Sequence, residues 1–464
     1  MMNMRHGKGL GFIASVLGLV LGGACGGSGD RESSNPTGGG LPPLGGSTST
    51  AEPGGDTTGP LLDVGAATGQ AGDEGGENCD PMPTNATLTG TVYAPNLEIP
   101  ISGALVYVTD GDAEPVPDGV YCAECVQVAC NEHFVLTNPD GTFELPALAG
   151  AGQKLVVQKG QFLHVADIDV AEGDSVVPAA SSNLPGEWNP AAGLWIPRIA
   201  VVETGTDSIF DILAKIGMGE VTGNGGLVDG TQNFDLISEL DGGALLDDLD
   251  AMRQYHIIFV PCMAQDGMGA LNPQRIENIR QWVAEGGKWY VTDWANEYLY
   301  DVFPNYQTLY GQGFDPDLIP AYDTTAFVLD QGLLAWLEAL PAPLKDIGGG
   351  QPNLLSLPTV DLIDNWSGID SIPPVMAVND EGEQVDVGHH AWVEGPCLSC
   401  NPGNKLRPMT ISAEYGCGRM MFSTYHTAEF EHAGLTPQEL ILLYIILEIG
   451  VCHDAPPPPP PPVG

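Results

Sequence analysis

The sequence predicts a multidomain protein in which an all-β sandwich precedes an α/β domain built on a mainly parallel sheet. Three observations carry this. Residues 79–178 hold short runs rich in β-branched and aromatic residues, separated by turn residues. From residue 198 to 453 the texture changes to buried-strand runs alternating with helical patterns. Ahead of both, residues 26–78 contain 16 glycines, five large aliphatic residues and no aromatic one. Such a stretch cannot bury enough apolar surface to offset its ordering entropy.

Taken in order, the chain opens with Arg5 and Lys8 before an apolar run from Leu10 to Leu21, then Gly22-Gly23-Ala24-Cys25. A charged start, an apolar stretch too short to span as a stable helix and a small-residue site mark a signal peptide over residues 1–25. A Cys directly after the small residues resembles a bacterial lipoprotein signal. The resemblance implies that Cys25 becomes the lipidated first residue of the mature chain. An ordinary signal peptide cut near Ala24 is the plainer alternative. Residues 26–78 are then a disordered linker with a reach of about 40 Å, enough to hold the folded part off a membrane. No second apolar run of about 20 residues follows.

In 79–178, strands are expected at Leu88–Val92, Ile101–Val108, Thr142–Leu145, Lys154–Gln158 and Phe162–Val165. Asn138-Pro139-Asp140-Gly141 is a tight-turn sequence between two of them. Residues 179–197, with Pro185, Gly186, Pro190 and Gly193, read as a second linker. Beyond it, Ile199–Glu203 and His256–Val260 read as buried strands, with helical patterns at Ser208–Ile216 and Leu245–Tyr255. Asn272 caps a helix with Pro273 in its first turn, and Gly286-Gly287 ends it. Lys288–Asp293 is the next strand. Met409–Ser412 and Met420–Tyr425 flank a Gly416-Cys417-Gly418 turn. Thr436-Pro437-Gln438-Glu439 is a capping-box start for a last helix, Pro437 to Ile449. Residues 454–464 form a tail containing seven consecutive prolines, expected as extended polyproline.

Charge excludes some function classes. The chain of 464 residues carries 15 Lys and Arg against 60 Asp and Glu, a formal net charge of −45. Nucleic acid needs a basic track along its phosphates, and this chain has none to offer. No basic residue stands between Arg31 and Lys154, while 17 acids lie from Glu32 to Glu144. The imbalance therefore runs across linker and sandwich as well as the α/β region. It reads as an exposed, exported surface rather than as an acidic active site.

The segments "LTGTVYAPNLEIPISGALVYVTDG" and "TNPDGTFELPAL" resemble a carboxypeptidase-regulatory-like, or transthyretin-like, domain. The resemblance covers about 95 residues and implies a structural or binding module without catalysis. Between the two segments stand Cys122, Cys125, Cys130 and His133. Three thiolates and an imidazole can close a tetrahedral zinc shell. Disulfide bonding is the alternative that an oxidising, exported setting favours, with Cys79 as a further partner. Four Cys allow three connectivities, so the pairing stays open. Cys397 and Cys400 read as a local disulfide, or as partners of Cys417 or Cys452.

The segments "RIAVVETG", "QYHIIFVPC", "NPQRIENIRQWVAEGGKWYVTDWANE" and "GRMMFSTYHTAEFEH" resemble class I glutamine-amidotransferase-like domains, including the ThuA-like branch. The resemblance covers about 250 residues and implies a flavodoxin-like parallel sheet. In that family a nucleophilic Cys sits on a sharp turn after the strand that follows the Gly-Gly-terminated helix. Here that turn falls at Asp293-Trp294-Ala295, without a Cys. His426 matches the family's His, and Glu429 stands near its Glu. The base is thus expected without its nucleophile. Cys262 follows the strand His256–Val260, but Pro261 and Met263 flank it with no glycine elbow. It reads as a buried spare thiol, since nine Cys besides Cys25 leave one over.

Two functional expectations follow. The first is an exported lipoprotein, anchored to a lipid membrane at the outer membrane or cell surface, or facing the periplasm, that binds a glycan or protein at the envelope without turnover. The second is a metal-assisted hydrolase in which Asp293, His426 and Glu429 act catalytically and Glu297 and His432 help hold Zn or Ca at the strand rim. Neither includes a nucleic-acid partner.

Overall fold

A computed structural model describes residues 83–448, apart from 127, 129–131, 311–318, 348–352, 380–381 and 429. The signal segment, the glycine-rich linker, the proline tail, Cys25, Cys79, Cys130, Cys452 and Glu429 lie outside the described residues. No helix among the described residues is long and apolar enough to cross a membrane.

The first part is built mainly of strands, in two sheets, with short helical turns at Ala179–Ser182 and Pro190–Ala192. It comprises β1 (Ala86–Thr91), β2 (Leu105–Thr109), β3 (Phe134–Leu136), β4 (Thr142–Ala147), β5 (Gly150–Lys159), β6 (Phe162–Val170), β7 (Gly173–Val176) and β8 (Leu194–Trp195). One sheet runs β4-β1-β7 and the other β3-β2-β5-β6-β8. Alternation decides the faces. In β4, Phe143, Leu145 and Ala147 are buried while Glu144 and Pro146 are exposed. Their inward side chains join Leu88, Val106, Leu155 and Val157 in one apolar cluster. The predicted turn forms as expected: Gly141 N–H donates to Asn138 O at 2.8 Å. Gly141 has φ +77°, and a Cβ there would lie 2.5 Å from Val92 O, so only glycine fits. The stretch expected as a second linker is ordered. It adds β8 to the edge of β6, and its Leu184 is buried. Trp188, Leu194 and Trp195 supply apolar anchors that its proline and glycine content concealed.

The second part is centred on a nine-stranded sheet. Its strands are β9 (Ile199–Glu203), β10 (Asp235–Ser238), β11 (Ile257–Val260), β12 (Lys288–Thr292), β14 (Tyr322–Val328), β15 (Thr359–Asn365), β19 (His390–Pro396), β20 (Leu406–Tyr415) and β21 (Gly418–Ser423). Two small ribbons, β13 (Thr308–Leu309) with β16 (Ile369–Ser371) and β17 (Met376–Val378) with β18 (Gln384–Asp386), complete the strands. The sheet order is β10-β9-β11-β12-β21-β20-β19-β14-β15. The first five strands are parallel neighbours. Numbered along the chain they read 2-1-3-4-5, the order of flavodoxin-like doubly wound sheets. The remaining ladders are antiparallel. The sheet is therefore mixed, not mainly parallel. The physical reason is the Gly416–Cys417 turn: so short a connection between β20 and β21 permits only an antiparallel pair.

Side chains of the parallel strands alternate between two cores. Val201, Phe259, Tyr290 and Met421 join the cluster that also contains Leu88 and Phe143. Ala200, Val202, Ile258, Val260, Trp289 and Phe422 join a second cluster on the opposite face. Helix Pro273–Ala284 covers that second face with Ile279, Trp282 and Val283. Asn272 caps it, accepting from Gln274 N and Arg275 N as its sequence predicts. The capping box also forms: Thr436 N donates to Glu439 Oε2 at 2.8 Å, and Glu439 N to Thr436 Oγ1 at 3.3 Å. The helix expected over Leu245–Tyr255 is instead two, Glu239–Leu246 and Leu249–Met252, because Asp248 caps the second.

Hydrogen bonds and a disulfide also tie the first part to the second. Trp336 Nε1 donates to Pro100 O at 2.9 Å, and Cys122 is disulfide-bonded to Cys417. His256, wholly buried, accepts from Arg198 N on Nδ1 at 2.7 Å and donates from Nε2 to Pro117 O at 3.1 Å. Burial, reinforced by the nearby Lys288 ammonium, pushes its pKa down to about 3 against the pull of the Pro117 and Gly119 carbonyls and Asp118. The unfolded chain takes up that proton near pH 6.5, so His256 contributes fully above that pH and its contribution is lost as pH falls toward 3. The expected result is a urea midpoint that drops between pH 7 and pH 4.5 more steeply in the native protein than in His256→Gln. Equal slopes would show that His256 is not an acid-sensitive point.

Candidate functional site at the strand rim

Four parallel strands bring polar residues to one rim. The loop after β9 carries Thr206 and Asp207, the turn after β11 carries Cys262, Asp293 follows β12, and His426 and Thr427 follow β21. This is the carboxyl end of the parallel strands. It includes the switch point between β9 and β11, where doubly wound sheets open a crevice.

Asp293 holds the elbow. Its φ is +48°, a left-handed conformation that is uncommon for a residue with a Cβ. Its carboxylate accepts from His426 Nδ1 at 2.6 Å and from Trp366 N at 2.9 Å. Its carbonyl accepts from Ser367 Oγ at 2.8 Å. Burial pushes its carboxyl up to about 7, against the pull of the His426 bond and the Trp366 N–H, while the Asp207 carboxylate adds to the rise. Trp366 stacks on Trp294, ring centroids 5.6 Å apart. Gln438 Nε2 donates to the His426 carbonyl at 2.6 Å.

Cys262 is buried and outside the disulfides, as expected, and it also belongs to this group. It keeps its thiol, and one donor atom each of Cys262, Asp293 and His426 lie within 4.8 Å of one another. All three residues are 0% exposed. Periodicity marked the strand before Cys262 but gave no view of which neighbouring strands its end would meet.

Asp207 is the residue that sequence reasoning missed. It is wholly buried. Its Oδ1 accepts from Thr427 N at 3.1 Å and Thr427 Oγ1 at 2.7 Å. Its Oδ2 accepts from Thr292 Oγ1, and from Cys262 N at 3.4 Å. Cys262 N also donates to Thr292 Oγ1 at 3.0 Å, and Thr206 Oγ1 donates to Cys262 O at 3.1 Å. One carboxylate thus knots the ends of β9, β11, β12 and β21. The signal was available: "ETGTDS" is a polar run at the carboxyl end of a buried strand, where the rim rule applies.

Other expected residues go elsewhere. Glu297 sits half-buried in the short helix Glu297–Tyr300 and is not among the three converging residues. His432 bonds Glu439 Oε2 at 2.8 Å, with Lys215 Nζ 3.4 Å away, in a separate charged cluster. The Glu439 bond raises its pKa. The zinc alternative in the β part falls, because Cys122 and Cys125 are disulfide-bonded. The Cys122 partner, Cys417, lies on the β20–β21 turn rather than within the β part as expected. Cys397 and Cys400 form the local disulfide.

No family model matches the sequence, and no curated protein matches it. Solved structures with a distant likeness include a cytoplasmic protein from Salmonella typhimurium, 10% identical over 55% of this chain and 98% of that one, TM-score 0.29. A putative ThuA-like protein from Bacteroides uniformis is 10% identical over 56% of this chain and 92% of its own, TM-score 0.31. A β-galactosidase from Bacillus circulans sp. alkalophilus is 12% identical over 55% of this chain, which spans 31% of that enzyme, TM-score 0.27. Likenesses this distant carry no activity, and the doubly wound fold rests on the strand order itself.

Proposed function

We propose that this is an exported lipoprotein whose ThuA-like α/β part binds a glycan or protein partner at the cell envelope without turning it over. In this reading the all-β part is a transthyretin-like module, Cys25 carries the acyl anchor and residues 26–78 are the spacer. The observation that supports the absence of turnover is the elbow. An aspartate stands where a nucleophile would, and it is held by His426 and Trp366 N beneath a surface that leaves it 0% exposed. A buried carboxylate bonded on both oxygens cannot replace a thiolate in amide transfer.

The convergence of Cys262 with Asp293 and His426 favours a second reading, the metal-assisted hydrolase, with Cys262 replacing Glu297 and His432 in the donor set. Two measurements test the primary one. Mass spectrometry of the mature protein is expected to find diacylglycerol on Cys25, and an unmodified start elsewhere overturns the anchor. Incubation with glutamine and with simple esters, with and without zinc, is expected to release nothing above background. Release that disappears in His426→Ala would establish the hydrolase instead.

A further inference from the structure

We infer that Cys262, Asp293 and His426 form a buried binding site for a zinc-class divalent transition metal. The inference goes beyond the primary reading and deepens the second by naming its metal class, and a metal held here requires neither export nor turnover.

The donors come from three different strand ends, after β11, β12 and β21, yet one donor atom of each lies within 4.8 Å of the others. Side chains from elements this far apart in sequence meet so closely only where the sheet order brings their ends together. Each donor is also held in place by its neighbours. The Cys262 backbone is pinned by Thr292 Oγ1 and Thr206 Oγ1. The Asp293 carboxylate is oriented by Trp366 N, and the His426 imidazole is held against it by the 2.6 Å bond from Nδ1, whose proton is released when the two groups turn to a metal. Such supporting bonds are what fix ligand geometry in metal sites.

The donor set selects the metal. One sulfur, one imidazole nitrogen and one carboxylate oxygen suit zinc and its neighbours, whereas calcium and magnesium take oxygen alone. Calcium, one of the two ions the sequence suggested, is therefore disfavoured. Charge agrees: a thiolate and a carboxylate in the shell offset the two charges of a divalent ion, and the buried Asp207 carboxylate beside Cys262 N adds to the attraction for a cation. Three protein ligands leave a fourth position for water or a small ligand, as in sites with an open coordination place.

The test uses the full chain with its disulfides intact, stripped by a chelator and titrated with cobalt(II). The expected result is one equivalent bound, with a thiolate-to-cobalt charge-transfer band and the visible bands of a tetrahedral ion, both removed by added zinc. Cys262→Ser is expected to lose the charge-transfer band. Asp293→Asn and His426→Gln are expected to weaken binding at least ~10–100-fold. His432→Gln, in the separate charged cluster, is expected to bind as the native protein does. A native protein without the band, or a Cys262→Ser protein that keeps it, overturns the site. X-ray absorption on the zinc-loaded native protein needs no variant. It is expected to find one sulfur at about 2.3 Å with nitrogen and oxygen near 2.0–2.1 Å. A first shell without sulfur overturns the inference even if every variant fails to fold.

Discussion

Replacing Asp207 by alanine is expected to destabilise the protein by about 3–4 kcal/mol, because the change strands donors that water cannot reach. Asp207 is 0% exposed and accepts from Thr427 N, Thr427 Oγ1, Thr292 Oγ1 and Cys262 N. The two hydroxyls can turn to other acceptors. The Thr427 amide cannot, and a buried amide without a partner costs roughly 1–3 kcal/mol by itself. Asp207→Asn keeps one oxygen for Thr427 but turns an NH₂ toward Thr292 and Cys262 N, so an intermediate loss is expected. Urea unfolding followed by tryptophan fluorescence reads both. A loss below about 1 kcal/mol in Asp207→Ala would mean that the four strand ends do not depend on this carboxylate.

The second large effect concerns the Cys122–Cys417 disulfide. It closes a sequence separation of 295 residues and joins the β part to the β20–β21 turn. Chain-entropy reasoning gives a long loop more stabilisation than a short one, and removal of a native disulfide costs roughly 2–5 kcal/mol. The double variant Cys122→Ser/Cys417→Ser is expected near the upper half of that range. The apolar cluster shared by Leu88, Phe143, Val201 and Phe259 remains, so the variant is expected to fold with a lower urea midpoint rather than to fall apart. An unchanged midpoint would show that the shared core alone holds the two parts together. Reduction of the native protein is a poorer test, since it also opens Cys397–Cys400.

The elements that came out of the sequence are those whose signal is local. The helix from Pro273 was readable because Asn272, Pro273 and the closing Gly286-Gly287 act within a turn or two of chain. The Thr436–Glu439 capping box forms from residues three apart. The strand His256–Val260 was readable because a parallel strand covered on both faces is apolar along its length, and Ile257–Val260 are all buried. The elbow at Asp293 and the Asp293–His426 pairing rested on a family resemblance as well as on position, and the 2.6 Å bond places those two side chains together.

What escaped the sequence has a weak local signature or none. Residues 179–197 carry the proline and glycine of a linker, but Leu184 is buried and Leu194–Trp195 pair with β6. Whether an apolar residue in such a stretch is covered depends on what stands opposite. Cys122 was assigned to its own neighbourhood, and its partner lies 295 residues away. Cys262 carried no motif, and Asp207 looked like one acid among 60.

Residue order therefore placed most of the strands and helices, leads us to expect no nucleic-acid partner, and pointed to Asp293 and His426 at the rim. These depend on periodicity, caps and charge, which act over a few residues or over the whole composition. The three-dimensional fold alone decided that β9, β11, β12 and β21 are neighbours, and so that Asp207, Cys262, Asp293 and His426 share one buried rim. Strand order is set by which apolar faces find cover across the whole chain, and no window of sequence contains that information.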